Sequence, residues 1–249
     1  MSDPISSAGE NSQVGAVFEP TEWSVILATR RGDSQRRVAL ERLCRSYWLP
    51  VYAYLRRRGY SPPDSEDFTQ GFFIHLIESD FFDRPDPGKG RFRGYLLGAL
   101  KHFLSAHFER ENALKRGGGV QFVDWNTLDP EKELGALDVT QTDPADAFET
   151  GWALALLGRA LKRLEEEQLA QGKKIQFETL KSYLSSKPER GDYDRAAQEL
   201  GTTRTNVAVW VHRLSHRYAE LVKLEVASTL DEGVDVGEEL RAVVRSLNR

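Results

Sequence analysis

Apolar residues recur at helical spacing along almost the whole chain, and no stretch alternates with the two-residue period of a half-buried strand. "TEWSVILATR" sets Trp23, Ile26 and Leu27 on one side behind Thr21 as an N-cap. "DSQRRVALERLCRSYWLP" carries Val38, Leu40, Leu43, Tyr47 and Trp48 before Pro50 interrupts it. "VYAYLRRRG" follows and ends on Gly59 as a C-cap. "SPPDSEDFTQGFFIHLIES" restarts behind two prolines, with carboxylates in the first turn, where the helix dipole favours them. Its apolar stripe is Phe68, Phe72, Phe73, Leu76 and Ile77. After the turn-rich "RPDPGKG", "RFRGYLLGALKHFLSAHFERENALKR" reads as a long helix stopped by Gly117, Gly118 and Gly119.

The pattern then lapses. Residues 118–147 carry Gly, Asp, Pro and Thr without period and read as a flexible linker. Helical spacing returns in "ADAFETGWALALLGRALKRLEEEQLAQG" and "FETLKSYLSS". Val236, Leu240, Val243, Val244 and Leu247 predict a final amphipathic helix over 236–247. The expected fold is all-α, with two small helical domains at 19–117 and 148–228, a disordered tail at 1–18 and a C-terminal tail at 229–249.

Composition narrows the function. Among 249 residues, 34 Lys and Arg face 38 Asp and Glu, a net charge of −4, which argues against indiscriminate binding to nucleic acid but not against local patches. The single Cys44 excludes an internal disulfide and sits among apolar neighbours. No run approaches the ~18 apolar residues of a membrane helix. The start, "MSDPISSAGENSQVG", lacks the basic and apolar regions of a secretory signal, so a cytoplasmic location is expected. No nucleophile–base pattern or zinc spacing is present, and "RGGGV" lacks the lysine of a phosphate loop. Glu165, Glu166 and Glu167 read as a solvated helix face. No enzyme activity, cofactor or metal is expected.

Two stretches carry candidate chemistry. "AAQELGTTRTNVAVWVHRLSHRY" reads as helix, glycine turn and helix, with Ala197 at the crossing and Gly201 in the turn. Val207, Val211, Leu214 and Tyr218 share one face of the second helix. The opposite side presents Thr205, Ala208, Val209, His212, Arg213 and His216, with Thr203, Arg204 and Asn206 at the helix start. Arginine can pair with guanine in two hydrogen bonds, small apolar groups can touch the thymine methyl, and a helix N-terminus suits phosphate. His212 and His216 have the spacing of metal ligands but no third partner nearby. In residues 91–116, Arg91, Arg93, Lys101, Arg110, Lys115 and Arg116 interleave with Phe92, Tyr95, Phe103 and Phe108. Rings beside cations suit single-stranded nucleic acid, although Phe92, Leu96, Leu100 and Phe103 also make a core stripe. Tyr95, His102 and His107 are less clearly core.

"DSEDFTQGFFIHL", "GRFRGYLLGALKHFLSAHFER" and "DYDRAAQELGTTRTNVAVWVHRLSHRYAEL", in that order over roughly residues 35–222, resemble the extracytoplasmic-function group of bacterial RNA polymerase sigma factors. The resemblance implies that Asp64, Asp67 and Gln70 dock on core RNA polymerase. It makes Tyr95, Lys101, His102, His107, Arg110, Lys115 and Arg116 the minus-ten contacts, and the second stretch the reader of the minus-thirty-five element of promoter DNA. It also leaves room for an anti-sigma partner. The chain departs from the group at Gly71, Tyr95, His102, Ala106, Ala208, Val209, Trp210, Ser215 and His216, which thins the positive charge of both DNA elements. The alternative is a helix-turn-helix regulator, or a sigma-like adaptor that does not direct initiation.

Overall fold

The structure is a computed structural model that describes residues 33–79, 81, 91–113, 130, 143–230 and 235–247. The expected N-terminal tail, the "TEWSVILATR" helix, most of the linker, Lys115 and Arg116 lie outside these residues, as does the side chain of Arg110. Among the described residues the fold is all-α, with eight α-helices and no strand.

Helix α1, Asp33–Arg57, runs straight through Pro50, where the proline had been expected to divide it. A proline inside a helix forfeits a hydrogen bond and crowds the preceding turn. Burial on both sides offsets that cost: Leu49, Val51, Tyr52, Ala53 and Leu55 are all at most 4% exposed. Gly59, at φ 91°, ends the segment. Helix α2, Pro62–Glu78, starts on Ser61, whose hydroxyl accepts from the Asp64 amide while donating to the Asp64 carboxylate at 2.5 Å. Helix α3 covers Phe92–Ala113.

Helix α4, Pro144–Ala170, begins on the Asp143 cap, so the last four residues of the expected linker are helical. Helix α5, Lys174–Leu180, runs into a 3-10 turn at Lys181–Leu184. Helix α6, Asp192–Glu199, and helix α7, Arg204–Ser228, flank a turn in which Gly201 takes φ 61°. Helix α8, Val236–Leu247, occupies the span that its apolar spacing predicts.

Among the described residues, two large apolar clusters fill the interior, with a small third one of Leu49, Tyr52 and Ala53 where α1 meets α4. The first joins α1, α2 and α3 to Phe148, Trp152, Ala153 and Leu156 of α4, to Val226 and Leu230 at the end of α7, and to Val243 of α8. The second joins Ala160 and Leu164 of α4 to Phe177 and Leu180, Ala196 and Ala197, and Val207, Val211, Leu214 and Leu221 of α7. Helices α4 and α7 thus each enter both clusters, and at 1.5 Å per residue the 27-residue α4 is ~40 Å long. Gly151 makes the α1–α4 crossing: a Cβ there would stand 2.9 Å from Pro50 Cα and 3.0 Å from the Leu49 carbonyl oxygen. Cys44 is buried in the first cluster, and burial pushes its thiol up to about 12, so it packs as a small apolar group.

Candidate nucleic-acid interface

Helices α2 and α3 diverge to leave a groove of about 670 Å³. Its walls are His75 and Phe81 on one side and Tyr95, His102, Phe103 and His107 on the other. Its floor is open because Gly94, Gly98 and Ala106 carry little or no side chain, and a Cβ on Gly94 or Gly98 would meet nothing within 4 Å. Tyr95 is 39% exposed and stacks on Phe81 at 4.7 Å. His107 meets Phe68 edge-on at 5.0 Å, and His75 lies 5.5 Å from Phe103. Rings that are held by neighbouring rings, with a face toward solvent, are suited to stacking on a planar ligand.

The structure brings together three of the residues expected here, Tyr95, His102 and His107, and separates a fourth. Lys101 lines a different concavity, of about 440 Å³, with Arg58, Asp143 and the start of α4. Phe92, Leu96 and Leu100 are core, each at most 2% exposed, while Phe103 rims the groove. His75 and Phe81 were not singled out from the sequence. No pattern within α3 names them, since His75 lies on α2 and Phe81 beyond its end.

The second surface is the start and outer side of α7. Val207, Val211 and Leu214 are buried at no more than 7% exposure and pin the helix to α6. Thr203, Arg204, Thr205, Asn206, Val209, His212, Arg213 and His216 are exposed, and Ala208 is half-buried between the two faces. Thr203 caps the helix by accepting from the Asn206 amide at 3.2 Å, and the Asn206 side chain donates to Thr202 at 3.0 Å. Those two side chains therefore shape the helix start. Arg204 and Arg213 make no ion pair with any described residue. His216 lies 3.6 Å from Glu220, and no group of three or more potential metal ligands occurs among the described residues.

On α2, Asp64 and Asp67 are exposed and Gln70 is half-buried. Asp64 is engaged in the cap with Ser61. The Gln70 side-chain oxygen is buried and has no hydrogen-bond partner. Gly71 faces Phe103, whose ring would lie 3.7 Å from a Cβ.

Polar contacts tie α4 to α7. Arg217 of α7 holds Glu167 of α4 at 2.7 Å, and this hydrogen bond keeps the Glu167 carboxyl below its ordinary range. Arg159 meets Glu225 at 2.9 Å, and the Tyr218 hydroxyl donates to the Leu157 carbonyl oxygen.

No protein-family model matches the chain, and no curated protein or solved structure shows a significant similarity to it. Among the described residues, no helix is long and apolar enough to cross a membrane.

Proposed function

We propose that the chain is a cytoplasmic sigma-like factor that joins core RNA polymerase and contacts promoter DNA at two places. The observation that carries this reading is the outer side of α7: every candidate recognition residue except Ala208 is exposed, while Val207, Val211 and Leu214 anchor the opposite side. In this reading Arg213 and Arg204 approach base edges or phosphate in the major groove of duplex DNA. The α2–α3 groove takes bases of the opened strand on Tyr95, His102 and His107, with unstacking costing a few kcal/mol per base. The factor performs no chemistry, since the polymerase makes the RNA. The net charge of −4 fits a protein that docks on a larger, charge-supplying machine.

One observation favours the adaptor alternative: among the nine candidate recognition positions only Arg204 and Arg213 are fixed cations. Run-off transcription with core polymerase on genomic fragments, together with co-purification of the chain with core enzyme, tests the proposal. Defined start sites and a stable complex support it. A stable complex with no defined start sites favours the adaptor, and no complex overturns both polymerase-based readings.

A further inference from the structure

Helix α3 begins with a charge problem. Arg91 precedes it, Arg93 lies in its first turn, and that turn holds no acid, although the N-terminus is the positive end of the helix dipole. The compensating carboxylates come from distant parts of the chain. Arg93, 6% exposed, donates through Nε to both oxygens of Glu149, at 3.1 and 2.9 Å, and through Nη1 to Glu239 of α8. Its guanidinium lies 4.3 Å from the Trp152 ring centroid. Glu239 is fully buried, and Arg91 stands 2.8 Å from its other oxygen, close enough for charge but without a well-directed hydrogen bond. Burial works against the charge on Arg93, but Glu149 and Glu239 outweigh it and hold its pKa above the ordinary value. At the far end of α8, the Thr150 hydroxyl donates to the Ser246 carbonyl oxygen at 2.8 Å, and Val243 is 3% exposed between the two ends.

We propose that the C-terminal helix α8 is a brace for the groove: through Glu239 it fixes Arg91 and Arg93, and so sets the position of the helix turn that presents Gly94 and Tyr95. Arg93 and Glu239 are positioning residues that touch no ligand themselves. The brace lies outside the stretch that resembles sigma factors, and its effect on nucleic acid, though not on α3, rests on the function proposed above.

The test uses the full-length chain with Glu239→Gln, which keeps the shape and removes the charge, beside Val243→Ala, which loosens the apolar packing of α8 and leaves the ion pairs of Arg91 and Arg93 with Glu149 and Glu239 intact. Amide hydrogen exchange over residues 92–98 reads the position of the turn. A labelled single strand of about twelve nucleotides, with core polymerase present, reads the groove. Glu239→Gln should speed exchange over 92–98 by about tenfold, well beyond Val243→Ala, with 204–214 unchanged, and weaken strand binding by roughly fivefold. Unchanged exchange over 92–98, or an equal rise in both variants or in both segments, overturns the brace whatever the strand does. Faster exchange in a protein whose wild type binds no strand keeps the brace and overturns the nucleic-acid reading. Unchanged strand binding beside faster exchange overturns the link from brace to groove. If Glu239→Gln fails to fold, Arg91→Gln, at a half-exposed arm of the cluster, is judged by the same outcomes with a smaller expected rise of about threefold.

Discussion

The groove between α2 and α3 and the outer side of α7 are built in opposite ways. The α7 side is a local product: its anchors pack on α6, which ends five residues before α7 begins, and the turn depends on one glycine at φ 61°. The groove is assembled from afar. Its α3 wall is held by Arg93, whose partners Glu149 and Glu239 lie 56 and 146 residues away along the chain. A surface of the first kind depends on a short stretch keeping its own pattern, whereas one of the second kind depends on the whole chain arriving. Yet the two are mechanically joined, since α4 and α7 each run from one apolar cluster into the other.

The largest expected effect tests that joining. Trp152, 1% exposed, packs in the first cluster beneath Arg93, and Trp152→Ala should cost ~3–5 kcal/mol from lost burial and the cavity left behind. The melting temperature should drop on the order of 10 °C. A long polar linker alone would leave the α5–α7 region with its own transition. The shared helices predict one transition, read by calorimetry, with exchange rising in both clusters together. A surviving second transition would separate the two regions after all.

Next comes a pair on one helix. Gly151→Ala drives a methyl group against the Pro50 and Leu49 backbone, which cannot step aside as a side chain can, and should destabilise by ~1–3 kcal/mol. Gly158→Ala, two turns further along α4, has nothing within 4 Å and should stabilise by up to ~1 kcal/mol through helix propensity. Denaturant titrations of both give the sign. If Gly151→Ala is as benign as Gly158→Ala, the α1–α4 crossing is looser than the close approach at Pro50 implies.

Two substitutions sharpen the comparison at the surfaces themselves. Arg213→Ala should leave stability within ~0.5 kcal/mol and lower specific DNA affinity by ~1–3 kcal/mol, relaxing preference at one base position. Gly98→Leu fills the groove floor without meeting any atom at the Cβ position, so folding should be kept or slightly improved while strand binding falls by ~1–3 kcal/mol. Competition binding with single-base variants reads the first, and strand titration the second. A fully active Gly98→Leu would remove the groove from the proposed function and leave the outer side of α7 as the one proposed DNA surface.

What could be read from the sequence follows the same division. The 3.6-residue period located the described helices, and α8 matched its predicted span because five apolar residues recur there at helical spacing. The exposed and buried faces of α7 were legible because both are set within one helix. Pro50 misled because its local rule, that proline breaks a helix, yields to burial on both sides. The groove was legible only in part. Tyr95, His102 and His107 line one groove, but Lys101 lines a different concavity with Arg58, and His75 belongs to another helix. The partners of Arg93 were illegible, because nothing local in "GRFRG" names a glutamate near the end of the chain.

The smallest expected effect on folding belongs to Gln70. The three polar residues at 64, 67 and 70, which the resemblance to sigma factors implies dock together, recur at three-residue steps along α2. The structure divides them. Asp64 has local work in the first turn beside the Ser61 cap, so its loss would register as ~0.3–1 kcal/mol of stability whatever its role in docking. Gln70 has none: its side-chain oxygen is buried without a partner, a cost already present in the fold. Gln70→Ala removes that unsatisfied group along with some packing, and stability should move by no more than ~0.5 kcal/mol in either direction. If this side of α2 meets core polymerase, the exposed part of the Gln70 side chain lies in that contact, and the substitution should weaken the complex about tenfold, or about 1.4 kcal/mol. Titration of the labelled variant with core enzyme decides the matter. Wild-type affinity in a fully stable variant would mean that Gln70 neither holds the fold nor meets the polymerase, and would shift the weight of docking to Asp67 or off α2 altogether.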